Sequence, residues 1–326
     1  MGGGQTEDQG PRTKDDVSQP LRVAVIGVGH LGKHHARILA SLPGATLTTV
    51  VDTNVSRARE IAATYGVEPA FDYRDVLGRV DAVTIAVPTE LHSTIAVPFL
   101  QAGVPVLVEK PMARSLAEAD EMISASAKAD ALLAVGHTER FNPAVEAARA
   151  LVTDPRFIEV HRLGTFPDRS LDIDVVFDLM IHDLDVVLSL VKSEVESIEA
   201  VGVPVLTPRV DIANARLRFA NGCIANLTAS RISRDRVRKI RFFQPSAYVS
   251  IDYAAQKVDV WRLKHDGAAM PSIEGGEVPV TNEEPLGREL ADFLEAVVAN
   301  RAPLVSGDDG RRALAVAQAI ADRIRD

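Results

Sequence analysis

From Leu21 onwards, short runs of β-branched and aliphatic residues alternate with longer stretches whose apolar positions recur every three or four residues. This is the pattern of repeated βαβ units around a mostly parallel sheet. Strands are predicted at Leu21 to Ile26, Thr46 to Val51, Ala70 to Phe71, Ala82 to Val87, Val104 to Val108 and Leu132 to Val135, enough for a complete doubly wound sheet. The helix punctuation between them agrees. Ser56 to Tyr65 closes on Gly66, and Leu116 to Lys128 opens on Ser115 with Glu118 three residues on, a capping box.

After Phe141-Asn142-Pro143 the pattern changes. A helix, a strand near Ile158 to Leu163 and an unusually apolar helix from about Asp174 to Val191 are followed by a strand-rich region. Ile212 to Phe219 and Cys223 to Ser230 flank Asn221-Gly222, a dipeptide favoured in two-residue hairpin turns, so antiparallel pairing is expected. Further strands are predicted at Lys239 to Phe243, Tyr248 to Tyr253 and Lys257 to Leu263, with helices at Leu286 to Ala299 and Gly310 to Ile324. The expected organisation is α/β: a disordered tail over residues 1–20, a Rossmann dinucleotide-binding domain over 21–138, and a second α/β domain over 139–326 that supplies most of the substrate site.

Composition narrows the classes. With 46% hydrophobic and 25% charged residues the chain reads as soluble and globular, and no apolar run is long enough for a membrane span. The polar start lacks the features of a secretory signal. Cys223 is the only cysteine, which excludes an intrachain disulfide and a cysteine-based metal cluster and fits a reducing cytoplasm. A net charge of -9 argues against a nucleic-acid partner.

Gly27-Val28-Gly29-His30-Leu31-Gly32 directly follows the first strand and opens the first helix, where a pyrophosphate needs backbone N–H donors. Gly27 permits the tight turn, Gly29 lets backbone approach the phosphates, and Gly32 allows close packing of helix on strand. Asp52 ends the second strand, placed to accept hydrogen bonds from the adenosine ribose and to repel a 2′-phosphate. That favours NAD over NADP, with Arg57 and Arg59 just downstream as a means of compensation.

Ligands of such sheets bind beyond the carboxyl ends of the strands. Pro88, Thr89 and His92 follow the fourth strand, Glu109-Lys110-Pro111 the fifth, and His137 to Asn142 the sixth. Lys110 at such a position can polarise a carbonyl or stabilise an alkoxide during hydride transfer; the bland reading is a solvated strand-end lysine. In the apolar helix, Asp178, His182 and Asp185 at i, i+4 and i+7 share one face. A histidine there can take the hydroxyl proton of an alcohol, tuned by the carboxylate one turn away, so His182 is assigned as base and Asp178 as its modulator. A metal pair is the alternative, although no third ligand has convincing spacing. A buried polar cluster satisfied within the core is the other.

With Gly27-x-Gly29-x-x-Gly32, Glu109-Lys110-Pro111 and Asp178-x-x-x-His182, the chain resembles the Gfo/Idh/MocA family of sugar and polyol dehydrogenases from Leu21 to its C-terminus. The resemblance implies catalytic Lys110, Asp178 and His182 and a second domain with a large, mostly antiparallel open sheet. It also implies a homodimer or homotetramer assembled through those sheets. The stretches Val135 to Pro143 and Phe177 to Asp185 look most like members that oxidise UDP-N-acetylglucosamine at C3, with inositol or a free hexose as alternative substrates. Arg140, Asn142, Asp185 and Arg231 are candidate substrate contacts. The basic stretch from Arg231 to Arg241 can bind a diphosphate or serve as a solvated sheet face or subunit contact. A non-catalytic NAD-sensing regulator is the reading from another class; it would dispense with the catalytic triad, which is intact here.

Overall fold

The computed structural model describes residues 19–166, 173–264 and 272–325, so most of the tail expected at residues 1–20 lies outside the described residues. The chain gathers into two compact units. One runs to Gly136 and takes in Glu289–Asp308; the other holds His137–Arg288 and the chain from Asp309.

The first unit is built in the order β1 (Leu21–Ile26), α1 (Gly32–Leu39), β2 (Ala45–Val51), α2 (Val55–Tyr65), β3 (Glu68–Ala70), β4 (Ala82–Ile85), α3 (His92–Gln101), β5 (Val106–Glu109), α4 (Leu116–Ala129) and β6 (Leu133–Gly136). Its sheet is parallel throughout, in the order β3-β2-β1-β4-β5-β6. The order reverses between β1 and β4, the switch point at which such sheets bind ligands beyond their strand ends. Val23, Ala24 and Val25 are all buried, as expected of a parallel strand covered on both faces. Gly66 closes α2 in the left-handed region, and the Ser115 side chain accepts the Glu118 N–H at 3.2 Å. The second arm of that capping box differs from its usual form: the Glu118 carboxylate accepts from the N–H of Arg114 rather than of Ser115. At the sheet edge, the Val135 N–H donates to the Val305 carbonyl, and Ala134 bridges Ser306.

The second unit contains α5 (Pro143–Arg149), β7 (Phe157–Leu163), a π-helical turn (Val176–Met180), α6 (Ile181–Leu190), β8 (Val195–Val203), β9 (Ile212–Phe219), β10 (Ile224–Ser230), β11 (Val237–Gln244), β12 (Ala247–Asp252), β13 (Lys257–Lys264) and β14 (Ser272–Val278). Two helices follow, α7 (Pro285–Ala299), most of which belongs to the first unit, and α8 (Gly307–Arg325). The eight-stranded sheet runs β14-β13-β12-β11-β7-β10-β9-β8 and is antiparallel except where β7 pairs with β10. Its alternation is one-sided: Ala213, Ala215, Leu217 and Phe219 on β9, and Ala225, Leu227 and Ala229 on β10, are buried in one cluster with apolar residues of α5, α6 and α8. The expected Rossmann sheet and mostly antiparallel open sheet are therefore both present.

Three local features depart from expectation. Strands β8 and β14 form the two sheet edges and are largely exposed, so they lack the apolar alternation that marks the inner strands. The turn at Asn221-Gly222 is not the two-residue type. Only Gly222 has positive φ, at 84°, and Gly222 N–H donates to Phe219 O while Phe219 N–H donates to Cys223 O. This is a three-residue loop in which a type I turn ends on a left-handed glycine. Finally, the apolar helix starts with the π-helical turn, whose i→i+5 bonding inserts an extra residue and offsets the faces before and after it.

Candidate active site

In the first unit, the glycine loop is shaped by contacts that only glycine tolerates. A Cβ on Gly32 would stand 1.7 Å from the Gly27 carbonyl oxygen, so α1 can start this close to the end of β1 only without a side chain there. A Cβ on Gly29 would meet nothing within 4 Å, so its lack of a side chain leaves open space beside the turn. His30 and Leu31 are exposed, and α1 has neither a side-chain cap nor an acid in its first turn. Peptide N–H groups at such a helix start suit an anion, and the cradle fits a dinucleotide pyrophosphate.

Asp52 lies at the end of β2, buried, and ties this turn to its own loop. It accepts the Val28 N–H at 3.0 Å, the Asn54 N–H at 2.8 Å and a fork from Arg57 at 2.9 and 2.8 Å. Burial alone would raise its pKa; the hydrogen bonds from Arg57, Asn54 and Val28 outweigh that and hold it below the usual carboxylate value. Arg59 instead lies over the Phe71 ring, 5.6 Å from its centroid.

Glu109 ends β5. Its carboxylate meets His35 Nε2 of α1 at 3.0 Å and accepts the Lys110 N–H at 3.2 Å. Burial works against the charged form, but His35 and Lys110 outweigh it and lower the Glu109 pKa. Glu109 thus links the helix of the glycine loop to the backbone of Lys110, and the Lys110-Pro111 peptide bond is cis. Lys110 itself is half-buried. His35 was not among the residues the sequence singled out; its position three residues after Gly32 carries no sign that it faces β5.

Beyond β4, Pro88 is exposed and Thr89 half-exposed, in a loop that leads into α3. His92, expected at the cofactor, is buried at the start of α3. Its ring is 1% exposed, with Nδ1 3.0 Å from the Pro111 carbonyl and Nε2 3.0 Å from the Val87 carbonyl. It braces the segment after Lys110 against the loop after β4, and burial lowers its pKa.

In the second unit, Asp178 lies within the π-helical turn and His182 in the first turn of α6, both partly accessible. Asp185, expected on the same stripe, is instead 2% exposed and pairs with Arg140 at 3.2 Å. The π turn precedes His182, so it changes the offset of Asp185 from Asp178 but not from His182, three residues before it in α6. Burial pushes the Asp185 pKa up to about 7 against the pull of Arg140. Arg140 is buried with it. Asn142, also buried, caps α5 by accepting the Ala144 N–H and donates to the Tyr253 carbonyl. Arg231 is 1% exposed, donating to Asp211 at 2.8 Å and to the Val210 carbonyl at 3.2 Å. Arg140, Asn142, Asp185 and Arg231, the candidate substrate contacts, thus all make internal contacts within the unit.

In the basic stretch after Arg231, Lys239 faces Asp252 at 3.3 Å and Arg241 faces Glu159 at 2.7 Å across adjacent strands. The fourth polar residue of the apolar helix, Asp183, receives the Arg162 fork at 2.6 and 3.1 Å, and Arg162 also reaches Glu139 at 3.1 Å. Burial disfavours that guanidinium, but the two carboxylates outweigh it and hold its pKa up. The network ties α6 to β7 through Asp183 and Arg162. Among the described residues, no group of histidine, cysteine and carboxylate side chains is arranged to hold a metal, and no helix is long and apolar enough to cross a membrane.

Comparison with known proteins bears on the family and the fold. Residues 21–137 match the family model of an oxidoreductase family with an NAD-binding Rossmann fold, and residues 144–245 match that of the GFO/IDH/MocA C-terminal domain. UDP-N-acetylglucosamine 3-dehydrogenase of Acidithiobacillus ferrooxidans is 39% identical, over 91% of this chain and 95% of its own. A solved structure of that enzyme superposes with a TM-score of 0.87, covering 93% of this chain and 97% of the other. Myo-inositol 2-dehydrogenase of Thermotoga maritima is 27% identical over 90% of this chain and 93% of its own. Levoglucosan dehydrogenase in complex with NADH and levoglucosan, at 21% identity, covering 94% of this chain and 98% of its own with a TM-score of 0.84, shares the fold.

Proposed function

Because the chain belongs to the Gfo/Idh/MocA family of oxidoreductases, we propose that it oxidises the C3 hydroxyl of UDP-N-acetylglucosamine to the 3-keto sugar with NAD. The observation that carries this reading is the 39% identity to a UDP-N-acetylglucosamine 3-dehydrogenase along nearly the whole of both chains.

The cofactor residues are Gly27, Gly29, His30, Leu31 and Gly32 at the pyrophosphate, Asp52 at the adenosine ribose, and Pro88, Thr89, Glu109 and Lys110 beyond the strand ends. NAD is placed ahead of NADP because Asp52 is an anion where NADP carries a phosphate. When bound, NAD supplies the hydride acceptor. His182 takes the hydroxyl proton, Asp178 orients and tunes the imidazole, and Lys110 stabilises the developing alkoxide through its ammonium group. The carbinol carbon thereby loses a hydride and its oxygen a proton, leaving the ketone. Glu109 and His92 act through the Lys110 segment as positioning residues. The open face of the eight-stranded sheet is the surface on which copies of the chain would assemble, and the lone Cys223 fits a cytoplasmic location.

The test is a panel of nucleotide sugars, free hexoses and inositols, scored by NADH formation with the purified chain. Turnover of UDP-N-acetylglucosamine above all others is expected. Activity on an inositol or free hexose with a flat response to every nucleotide sugar would reject the substrate while leaving the family intact.

A further inference from the structure

Asp52 is saturated. A carboxylate offers about four lone-pair sites, and here all four are taken: Oδ1 by the Asn54 N–H and Arg57 Nη2, Oδ2 by the Val28 N–H and Arg57 Nε. Two of these donors are peptide groups whose removal would open the loop after β2 or the turn after β1. The other two belong to one guanidinium whose side chain is 46% exposed, against 5% for Asp52. A ribose presents hydroxyl donors that need acceptors, and only the two positions held by Arg57 can be surrendered without disturbing the fold. The same guanidinium offsets part of the negative charge that would turn away a 2′-phosphate. A phosphate is in turn a bidentate partner for such a fork. Arg59, held over Phe71, is not the residue that competes.

We propose that Arg57 sets the choice between the two dinucleotides, competing with the ribose hydroxyls for Asp52 and thereby weakening NAD, while supporting NADP through its charge and fork. The inference rests on the reading of this loop as the dinucleotide site. Arg57 works in opposite directions on two ligands that differ only by one phosphate. General damage to the loop would move both the same way.

The experiment measures NAD and NADP dissociation constants by calorimetry for the full chain and for Arg57→Leu and Arg57→Lys. Thermal melts establish that the variants keep their fold; Arg57 lies in the exposed first turn of α2, and the Asn54 cap uses only its backbone N–H. Arg57→Leu should bind NAD about fivefold more tightly, the worth of one partly exposed ion pair. It should bind NADP at least tenfold more weakly, as expected on losing a charge-assisted contact. Arg57→Lys, which keeps the charge without the fork, should fall between wild type and Arg57→Leu on NADP. Affinities that move together, or do not move, overturn the inference while wild-type NAD binding leaves the cofactor reading intact. Failure of the wild-type chain to bind either dinucleotide would overturn the cofactor reading, and the inference with it.

Discussion

Gly29 and Gly32 belong to one motif yet should fail in different ways when a methyl group is added. In Gly32→Ala the new Cβ would lie 1.7 Å from a backbone carbonyl oxygen, and restoring an ordinary contact means roughly doubling that distance between the start of α1 and the end of β1. Overpacking costs about 1–3 kcal/mol. The obstacle here is backbone on both sides, which puts the cost near the upper end and lowers Tm by about 5–10 °C for a unit of this size. Gly29→Ala meets no protein atom, so its Tm should stay at the wild-type value. If pyrophosphate is held there by peptide N–H groups, the methyl group stands in its way. Loss of one or more charge-assisted hydrogen bonds then weakens NAD by about 10- to 100-fold. Thermal melts without ligand, paired with calorimetric NAD titrations, separate the two effects. Equal Tm losses in both variants, or wild-type NAD affinity in Gly29→Ala, would refute the assignment of roles.

Four further variants test the site and the side chains that support it. His182→Ala should slow turnover by about 10²–10⁴-fold with NAD affinity retained, and Lys110→Ala should abolish NADH formation; wild-type turnover in either removes that residue from the mechanism. Asp185, with its pKa raised from 3.8 to about 7 in the fold, keeps a proton that the unfolded chain releases. The stability this contributes is full below about pH 4 and lost as pH rises through 7, of the order of 4 kcal/mol. Asp185→Asn should flatten the pH dependence of denaturant melts between pH 5 and pH 8, and an unchanged slope would count against the buried neutral acid. Arg162→Met strands Asp183 and Glu139 without their shared cation and should cost about 3–5 kcal/mol, read as a shift in denaturation midpoint.

The parallel sheet is legible in the chain because its strands are buried on both faces and each ends on punctuation with a physical reason. Gly66, Ser115 and the glycine loop all act locally, within a few residues of the elements they terminate. The inner antiparallel strands are legible for the same reason, through their alternation. What is not legible depends on partners distant in sequence. His35 gains meaning only from Glu109, and Asp183 only from Arg162. Asp185 looks like a neighbour of Asp178 until the π turn offsets their faces, and nothing in the residue types of Val176–Met180 announces the extra residue. The saturation of Asp52 is similarly hidden: Arg57 is visible in the sequence, but its direction is not.

The first unit is completed by a segment made late. Leu290, Phe293 and Leu294 are buried, and Val305 closes a backbone hydrogen bond onto Val135, although about 150 residues of another unit lie between Gly136 and Glu289. During synthesis at about 5–20 residues per second, the parallel sheet would wait roughly 10–30 s for its last edge contact. Its own strands would have long left the ribosome by then. A nascent chain stalled at Gly136 should therefore be open to protease and chaperone, because it lacks the Glu289–Asp308 segment of its own unit. Shuffling of the nucleotide-binding half between genes would have to carry both of its separated parts.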